Sequence, residues 1–365
     1  MASGTGGQIG LAKIGSLYRD VNTINRWSNF VSESIEHTLE ELEEGAITGR
    51  RDAPPSHKGI DFSQGDIELE PNPNAIGDYL TGFFGTLASS LVTNAASTGA
   101  NSGQEAGKPQ WFHRFTPRQS AFSERVFLDT YNVMVYRDVG SAFIVRGAIF
   151  PTLSFDFTAG QLMKSTVSVM GRRSERIERV AAIQSLVSSG GRPWVWDMAS
   201  VEVSTSDTAS AGLAPRTNLE QITLNFELPH EGVVLLDGTK FYGEMQPNEF
   251  RRINIEGTMT FRDHSDYQSF IDYEARRLRL TVLNVNSNLA LGNIGSLDAT
   301  AFLGYYGMRI HIPQMKFLSW SAPIGGPNRL TASFTAKAEY SDADGLMAAI
   351  ELNNVVPNSA YTAAY

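Results

Sequence analysis

Between Arg251 and Val285 the sequence RRINIEGTMTFRDHSDYQSFIDYEARRLRLTVLNV changes its apolar period twice, and this constrains the fold more than any other stretch. Ile253, Ile255, Gly257, Met259 and Phe261 alternate with Arg252, Asn254, Glu256, Thr258 and Thr260, the period of a strand with one face buried. Asp263 or Ser265 can then cap a helix, with Gln268 three residues after Ser265 as in a capping box, and Tyr267, Phe270 and Ile271 fall on one helical face. Arg276 and Arg277 suit the C-terminus of that helix, and alternation resumes at Leu278, Leu280 and Val282. The stretch therefore predicts a short amphipathic helix packed on one face of a sheet.

The rest of the chain is compatible with more of the same. Its 365 residues are enough for about two domains, and a 42% hydrophobic content is enough to bury their cores. A net charge of −9 argues against a surface that grips phosphate backbones, which needs clustered Lys and Arg. The absence of cysteine removes disulfides, thiolate metal sites and cysteine nucleophiles, and fits assembly in a reducing compartment. No segment approaches the ~18 apolar residues of a membrane span, and the N-terminus lacks the pattern of a signal peptide.

Taken in order, residues 1–20 are Gly-rich and read as an arm that orders only against a partner. Residues 24–49 carry both helical spacing (Ile35, Leu39, Leu42) and strand character (Trp27, Phe30, Val31), and strand is favoured. Glu40, Glu41, Glu43 and Glu44 form a solvated edge. The loop 50–59 projects from the sheet. Ile60, Phe62, Ile67 and Leu69 make a strand whose apolar phase shifts at Gly65, which suggests a bulge. Ile76, Tyr79, Leu80, Phe83 and Phe84 have helical spacing that Gly85 ends. Residues 97–110 are a low-complexity loop, and strands follow over 126–136, 143–150, 153–157 and 163–170. The segment GRRSERIERV (171–180) is either a helix or a basic hairpin tip whose glutamates neutralise its arginines. A boundary falls at 190–193. Trp194 and Trp196 beyond it either stack a sugar or a base or pack between domains. An alternating strand (Ile222, Leu224, Phe226, Leu228), a long excursion (236–250), the opening stretch, a second long loop (286–306) and a closing sheet with a turn at 325–328 complete the chain. The tail after Asn354 reads as a second arm.

Both halves show strand, long loop, strand, helix and a run of strands with a Gly-turn hairpin. Residues 65–69 align with 257–261, and 153–171 resemble 316–340. This is a repeat of pattern more than of identity, and chance similarity between two sheet domains is its rival.

No catalytic constellation emerges. The histidines His37, His57, His113, His230, His264 and His311 lack helical metal-ligand spacing, and no nucleophile elbow, P-loop or dinucleotide fingerprint follows a strand. Carboxylate pairs such as Asp237 and Glu244 are expected by chance among 39 acidic residues. A non-enzymatic protein with no cofactor and no metal is expected.

The motifs SESIEH, AITGRR, KGIDFSQGDIELE, NAIGDYLTGFFG, FIVRGAIFPTLSFDFTAGQLMKSTVSVMGRR, PWVWDMASVEV and INIEGTMTFRDHSDYQSFIDYEARRLRL together resemble the tail tube protein of long-tailed bacteriophages, over most of Trp27 to Asn354. The resemblance implies a virion tail protein, assembled in the host cytoplasm as stacked rings through which genome DNA leaves without specific binding. It also implies contacts with tape measure, terminator and distal tail proteins, and functional surfaces that are lumen and interfaces rather than an active site. The expected architecture is mainly β: an arm (1–20), two tandem β-sandwich or barrel-like tail-tube domains (21–193 and 194–354), each with a short helix on its outer face, and a second arm (355–365).

Asp61, Asp66, Glu68, Asn254, Glu256 and Thr258 are the candidate lumen residues, the alternative being that they face outer solvent. Arg50, Arg51, Asp52, His57, Lys58, Asp237, Lys240 and Glu244 are the candidate inter-ring residues, because their loops are too polar and long to be needed for either core. With about four inner strands per half, three chains give roughly 24 strands, and a tilt of ~40° sets a barrel of roughly 48 Å with a channel of roughly 38 Å. A trimeric, pseudo-hexameric ring is therefore expected. Its rival is a true hexamer with one half outside the lumen. A carbohydrate- or host-receptor-binding β-sandwich of the virion is the alternative from another class, motivated by Trp111, Trp194 and Trp196.

Overall fold

The structure, a computed structural model, describes residues 6–15, 24–45, 51–52, 55–91, 110–121, 123, 125–178, 193–204, 212–262, 264–284, 306–324 and 329–363. Arg50, Asp263, the turn 325–328 and most of the loops 97–110 and 286–307 lie outside the described residues. The strands of the first half are β1 (Gln8–Ile14), β2 (Arg26–Ser28), β3 (Ser32–Glu33), β4 (Glu36–Glu43), β5 (Ser56–Leu69), β6 (Gly85–Leu91), β7 (Trp111–Pro117), β8 (Thr130–Tyr136), β9 (Ala142–Ala148), β10 (Thr152–Thr158), β11 (Lys164–Gly171) and β12 (Arg173–Ile177), with α1 (Ile76–Phe84) after β5. Those of the second half are β13 (Ala199–Ser204), β14 (Leu213–Pro215), β15 (Leu219–Glu227), β16 (His230–Val234), β17 (Tyr242–Pro247), β18 (Arg252–Thr260), β19 (Arg276–Leu283), β20 (Gly307–Ser321), β21 (Thr331–Ala338) and β22 (Ala349–Asn354), with α2 (Ser265–Ile271) after β18 and α3 (Asn358–Thr362) after β22.

The pairings of the two halves correspond. In the first unit β2 pairs β1, β1 pairs β8, β8 pairs β9, β9 pairs β12, β10 pairs β11, β11 pairs β5 and β5 pairs β4. In the second, β14 pairs β13, β13 pairs β19, β19 pairs β20, β20 pairs β22 and β21, β21 pairs β18 and β18 pairs β15. One long strand, β20, does the work of β9 and β10. Pro313 lies within the register shift between β19 and β20, a place where its missing N–H costs least, whereas Pro151 separates β9 from β10 outright.

The units share one sheet and one core. β10 of the first pairs with β15 of the second from Thr152↔Glu227 to Thr158↔Gln221. A single cluster of buried apolar side chains extends from Ile9 to Leu352, across the expected boundary at 193/194. Phe226 of β15 touches Phe83 and Phe84 of α1 and Phe155 of β10, with ring centroids 5.8–6.2 Å apart.

Several expectations are corrected. The N-terminal arm contains β1, a central strand with Ile9, Leu11 and Ile14 buried. The tail after Asn354 is docked: the Tyr361 hydroxyl accepts from the Asn354 side-chain amide (2.8 Å), and its ring meets His113 edge-on. α1 is the predicted helix, ended by Gly85 at φ 74°, a conformation open to glycine without strain. However, all its residues are buried, so it lies inside the sandwich and not on an outer face.

α2 is rotated relative to its apolar pattern, and of Tyr267, Phe270 and Ile271 only Phe270 packs against the core. Asp266 and Ser269 face the body, where Asp266 meets Arg216 (2.9 Å), and Tyr267 and Ile271 are exposed. His264 rather than Ser265 precedes the helix, the Gln268 side chain donates to Asp272, and Arg276 and Arg277 open β19 instead of ending α2. Gly65 makes no bulge in β5, which pairs with β11 without a break. The break falls in its partner, between β3 and β4, where a Cβ on Gly65 would collide with the Ser34 carbonyl. The 171–180 segment is neither helix nor hairpin tip over its described part. It contains β12, where Glu175 accepts from Arg146 and pairs with Arg173 (2.7 and 2.8 Å).

Two predictions follow from this packing. Phe226→Ala, which opens a cavity between the units, should lower the free energy of unfolding by about 3–5 kcal/mol in chemical denaturation. His113 is buried with Nε2 2.9 Å from the Val356 carbonyl and Nδ1 2.7 Å from the Ser89 hydroxyl, an arrangement that suits neutral imidazole. Burial pushes its pKa down to about 4. The unfolded histidine takes up its proton near 6.5, so this stability is present above that pH and lost as pH falls toward 4. His113→Gln should remove about 2 kcal/mol of the stability loss measured between pH 7 and pH 5.

Candidate assembly surfaces

Strand alternation across the shared sheet places every second side chain on one polar face. Glu68, Thr166, Ser154, Asn225, Asn254, Lys337 and Lys316 are successive register partners from β5 to β20. The next row runs Lys164, Asp156, Thr223, Glu256, Thr335 and Ser319, and a third runs Thr158, Gln221, Thr258, Ser333 and Ser321. Asp66 stands beside Ser168, whose hydroxyl donates to it at 2.6 Å. The opposite side chains, such as Ile67, Val167, Phe155, Leu224, Ile255 and Ala336, are core. Seven strands at about 4.8 Å spacing make this face about 29 Å wide.

Five of the six candidate lumen residues, Asp66, Glu68, Asn254, Glu256 and Thr258, share this face. Asp61 does not. It lies on the other side of β5, buried under Lys58 (2.5 Å) and His37 (2.8 Å). The apolar phase of β5 changes because its two ends face different neighbours: Ile67 and Leu69 enter the core, and Phe62 meets Tyr242 of β17 at 5.3 Å.

The face is nearly neutral, and its lysines are engaged. Lys164 is 2.8 Å from Glu68, and hydrogen bonds from Lys164 and Ser32 hold Glu68 below the usual carboxylate range. Lys316 and Lys337 face each other across strands and share Glu339 (3.0 and 2.9 Å). Burial alone would raise the pKa of Glu339, but hydrogen bonds from Lys337 and Lys316 and their charges lower it. A cation already held by a carboxylate offers little to a passing phosphate. Sequence reasoning missed Ser154, Asn225, Ser333 and Lys337 on this face, although the alternation that singled out Asn254 and Glu256 marks them equally.

At one end of the sheet the β4–β5 and β16–β17 hairpins meet. The Asp61 amide donates to the Lys240 carbonyl (2.8 Å) and Lys240 Nζ donates to the Lys58 carbonyl (2.8 Å), which brings together two of the candidate inter-ring residues. The guanidinium groups of Arg172 and Arg173 lie over Phe241, and Arg172 donates to the Tyr242 carbonyl. Asp237 organises its own turn, accepting from the Thr239 amide and hydroxyl, and these bonds lower its pKa. His57 reaches Glu44 (3.4 Å), Glu244 lies on β17 opposite Val233, and Arg51 and Asp52 are exposed. Leu42, Leu236 and Phe250, all large apolar residues around these hairpins, are also exposed.

The sugar platform of the alternative reading is divided, since Trp194 is fully buried and Trp196 is half exposed. Among the described residues no three His, Asp or Glu side chains are grouped to hold a metal.

Extended sheet with one continuous polar face, a sandwich core behind it and projecting hairpins at one end define a mainly β protein built on large antiparallel sheets. The chain belongs to the phage tail tube protein family, whose model matches residues 4–338. It is accordingly a structural protein of the virion tail. No individual curated protein matches it significantly.

The hairpin contact yields a prediction. Tyr242→Ala should speed hydrogen exchange at the Asp61 amide at least tenfold, because the ring that holds the hairpins together is lost, while the global denaturation midpoint stays close to that of the wild type.

Proposed function

We propose that this protein polymerises, three chains to a ring, into stacked rings that form the tail tube, with the polar sheet face lining the conduit for genome DNA. The observation that carries this reading is the single polar face spanning both units, with its lysines held by carboxylates. Along the sheet path β20, β21, β18, β15, β10, β11, β5 and β3 supply eight inner strand positions per chain. Three chains then supply about 24, a barrel wide enough for a duplex, whereas six would make it about twice as wide. In this reading the paired β4–β5 and β16–β17 hairpins make ring-to-ring contacts, since projecting polar loops held on a rigid scaffold are where function concentrates. Tape measure, terminator and distal tail proteins would meet the same lumen and ring ends. The chain acts without catalysis.

Cryo-electron microscopy of concentrated protein should resolve tubes with three chains per ring and Glu68, Asn254 and Glu256 at the lumen. Six identical chains per ring, with one unit outside the lumen, would refute the stoichiometry. Virions carrying Asp66→Lys, Glu68→Lys and Glu256→Lys should assemble normal tubes and eject DNA more slowly. Unchanged ejection would count against the lumen assignment.

A further inference from the structure

The buried arginines Arg26, Arg279 and Arg309 face Asp78, Glu202 and Glu351, but Arg251 has no such partner. It stands between the β16–β17 hairpin and β18, with its guanidinium over the ring of Phe83 in α1 (5.9 Å). Its Nε and Nη2 are both buried, and no acceptor among the described residues meets either. Glu249, the acid nearest to it in sequence, is held by Arg252. Burial pushes the pKa of Arg251 down to about 10, with no carboxylate to offset it. A buried charge without a counterion is strongly destabilising, and buried polar atoms are as a rule hydrogen-bonded.

The two unmet atoms form one edge of the guanidinium. Nε–H and Nη2–H point the same way, in the fork that takes two oxygens of one anion side by side. His230 lies beside it. The Nδ1 of His230 donates to the Leu228 carbonyl (2.6 Å), which leaves Nε2, buried and without a partner among the described residues. Burial and, after it, the charge of Arg251 push the pKa of His230 down to about 4, against the hydrogen bond to Leu228. Both residues sit at the root of the β16–β17 hairpin, where His230 is the register partner of Pro247 and the Asn248 amide donates to the Pro229 carbonyl (3.1 Å).

We propose that Arg251 and His230 form a binding site for a small oxyanion of the sulfate or phosphate class, gripped side-on by the guanidinium fork. The anion cancels the charge that keeps His230 neutral, so the ring takes up a proton and Nε2 becomes a third donor. Bound there, the anion ties the strands entering and leaving the hairpin to α1. DNA phosphates moving along the polar face are not its ligand. Arg251 shares the parity of Ile253 and Ile255, which are core, whereas Asn254 and Glu256 carry the polar rows.

Full-length protein is titrated with sodium sulfate by calorimetry, in chloride buffer of constant ionic strength. Sulfate keeps its charge near neutral pH, so a pH dependence belongs to the protein. One sulfate should bind per chain, roughly threefold more tightly at pH 5.5 than at pH 7.5 because binding takes up a proton. Arg251→Lys keeps the charge and loses the fork, and should bind about tenfold more weakly. Arg251→Met should not bind. Its denaturation midpoint in sulfate-free buffer should equal or exceed that of the wild type, since an apolar chain replaces an unpaired charge, which separates loss of binding from loss of fold. His230→Gln should bind without pH dependence. A wild-type titration with no saturable heat, equal binding by Arg251→Met, or a pH dependence that survives His230→Gln would overturn the site.

Discussion

The pairing of β10 with β15 is the contact on which the rest depends. It places two units side by side in one sheet and sets their polar rows in a common register. It also carries Phe226 from the second unit into the ring cluster around α1 in the first. Without it the molecule would have two short sheets, each with a bare edge and a polar face of about half the width. Register matters as much as contact, since a slip of one residue would turn Thr223 and Asn225 into the core and Leu224 and Phe226 out of it.

Much of this was legible in the sequence where the deciding interactions are local. The alternation of Ile253, Ile255 and Met259 gave β18 and its polar side, and the spacing of Tyr79, Leu80, Phe83 and Phe84 with Gly85 gave α1 and its end. The matching of residues 65–69 with 257–261 and of 153–171 with 316–340 picked out the strand sets that correspond in the fold.

Where sequence reasoning failed, a distant partner decides. Asp266 turns inward because Arg216 waits for it from fifty positions earlier in the chain, so the helix presents Tyr267 and Ile271 to solvent against its own pattern. β1 hid in a glycine-rich segment because a short strand needs only a few apolar residues when β8 supplies the opposite side. Gly10 within it is where Trp27 packs close to the backbone. Asp61 was assigned by the parity of apolar residues that serve two different surfaces, an ambiguity only the position of Tyr242 resolves.

The docking of α3 bears on the order of events during synthesis. Tyr361 packs beside Gly77 of α1 and against His113 of β7, and β7 is held in the sheet by β22. The helix at the heart of the first unit therefore stays open on one side until the residues after Asn354 have left the ribosome.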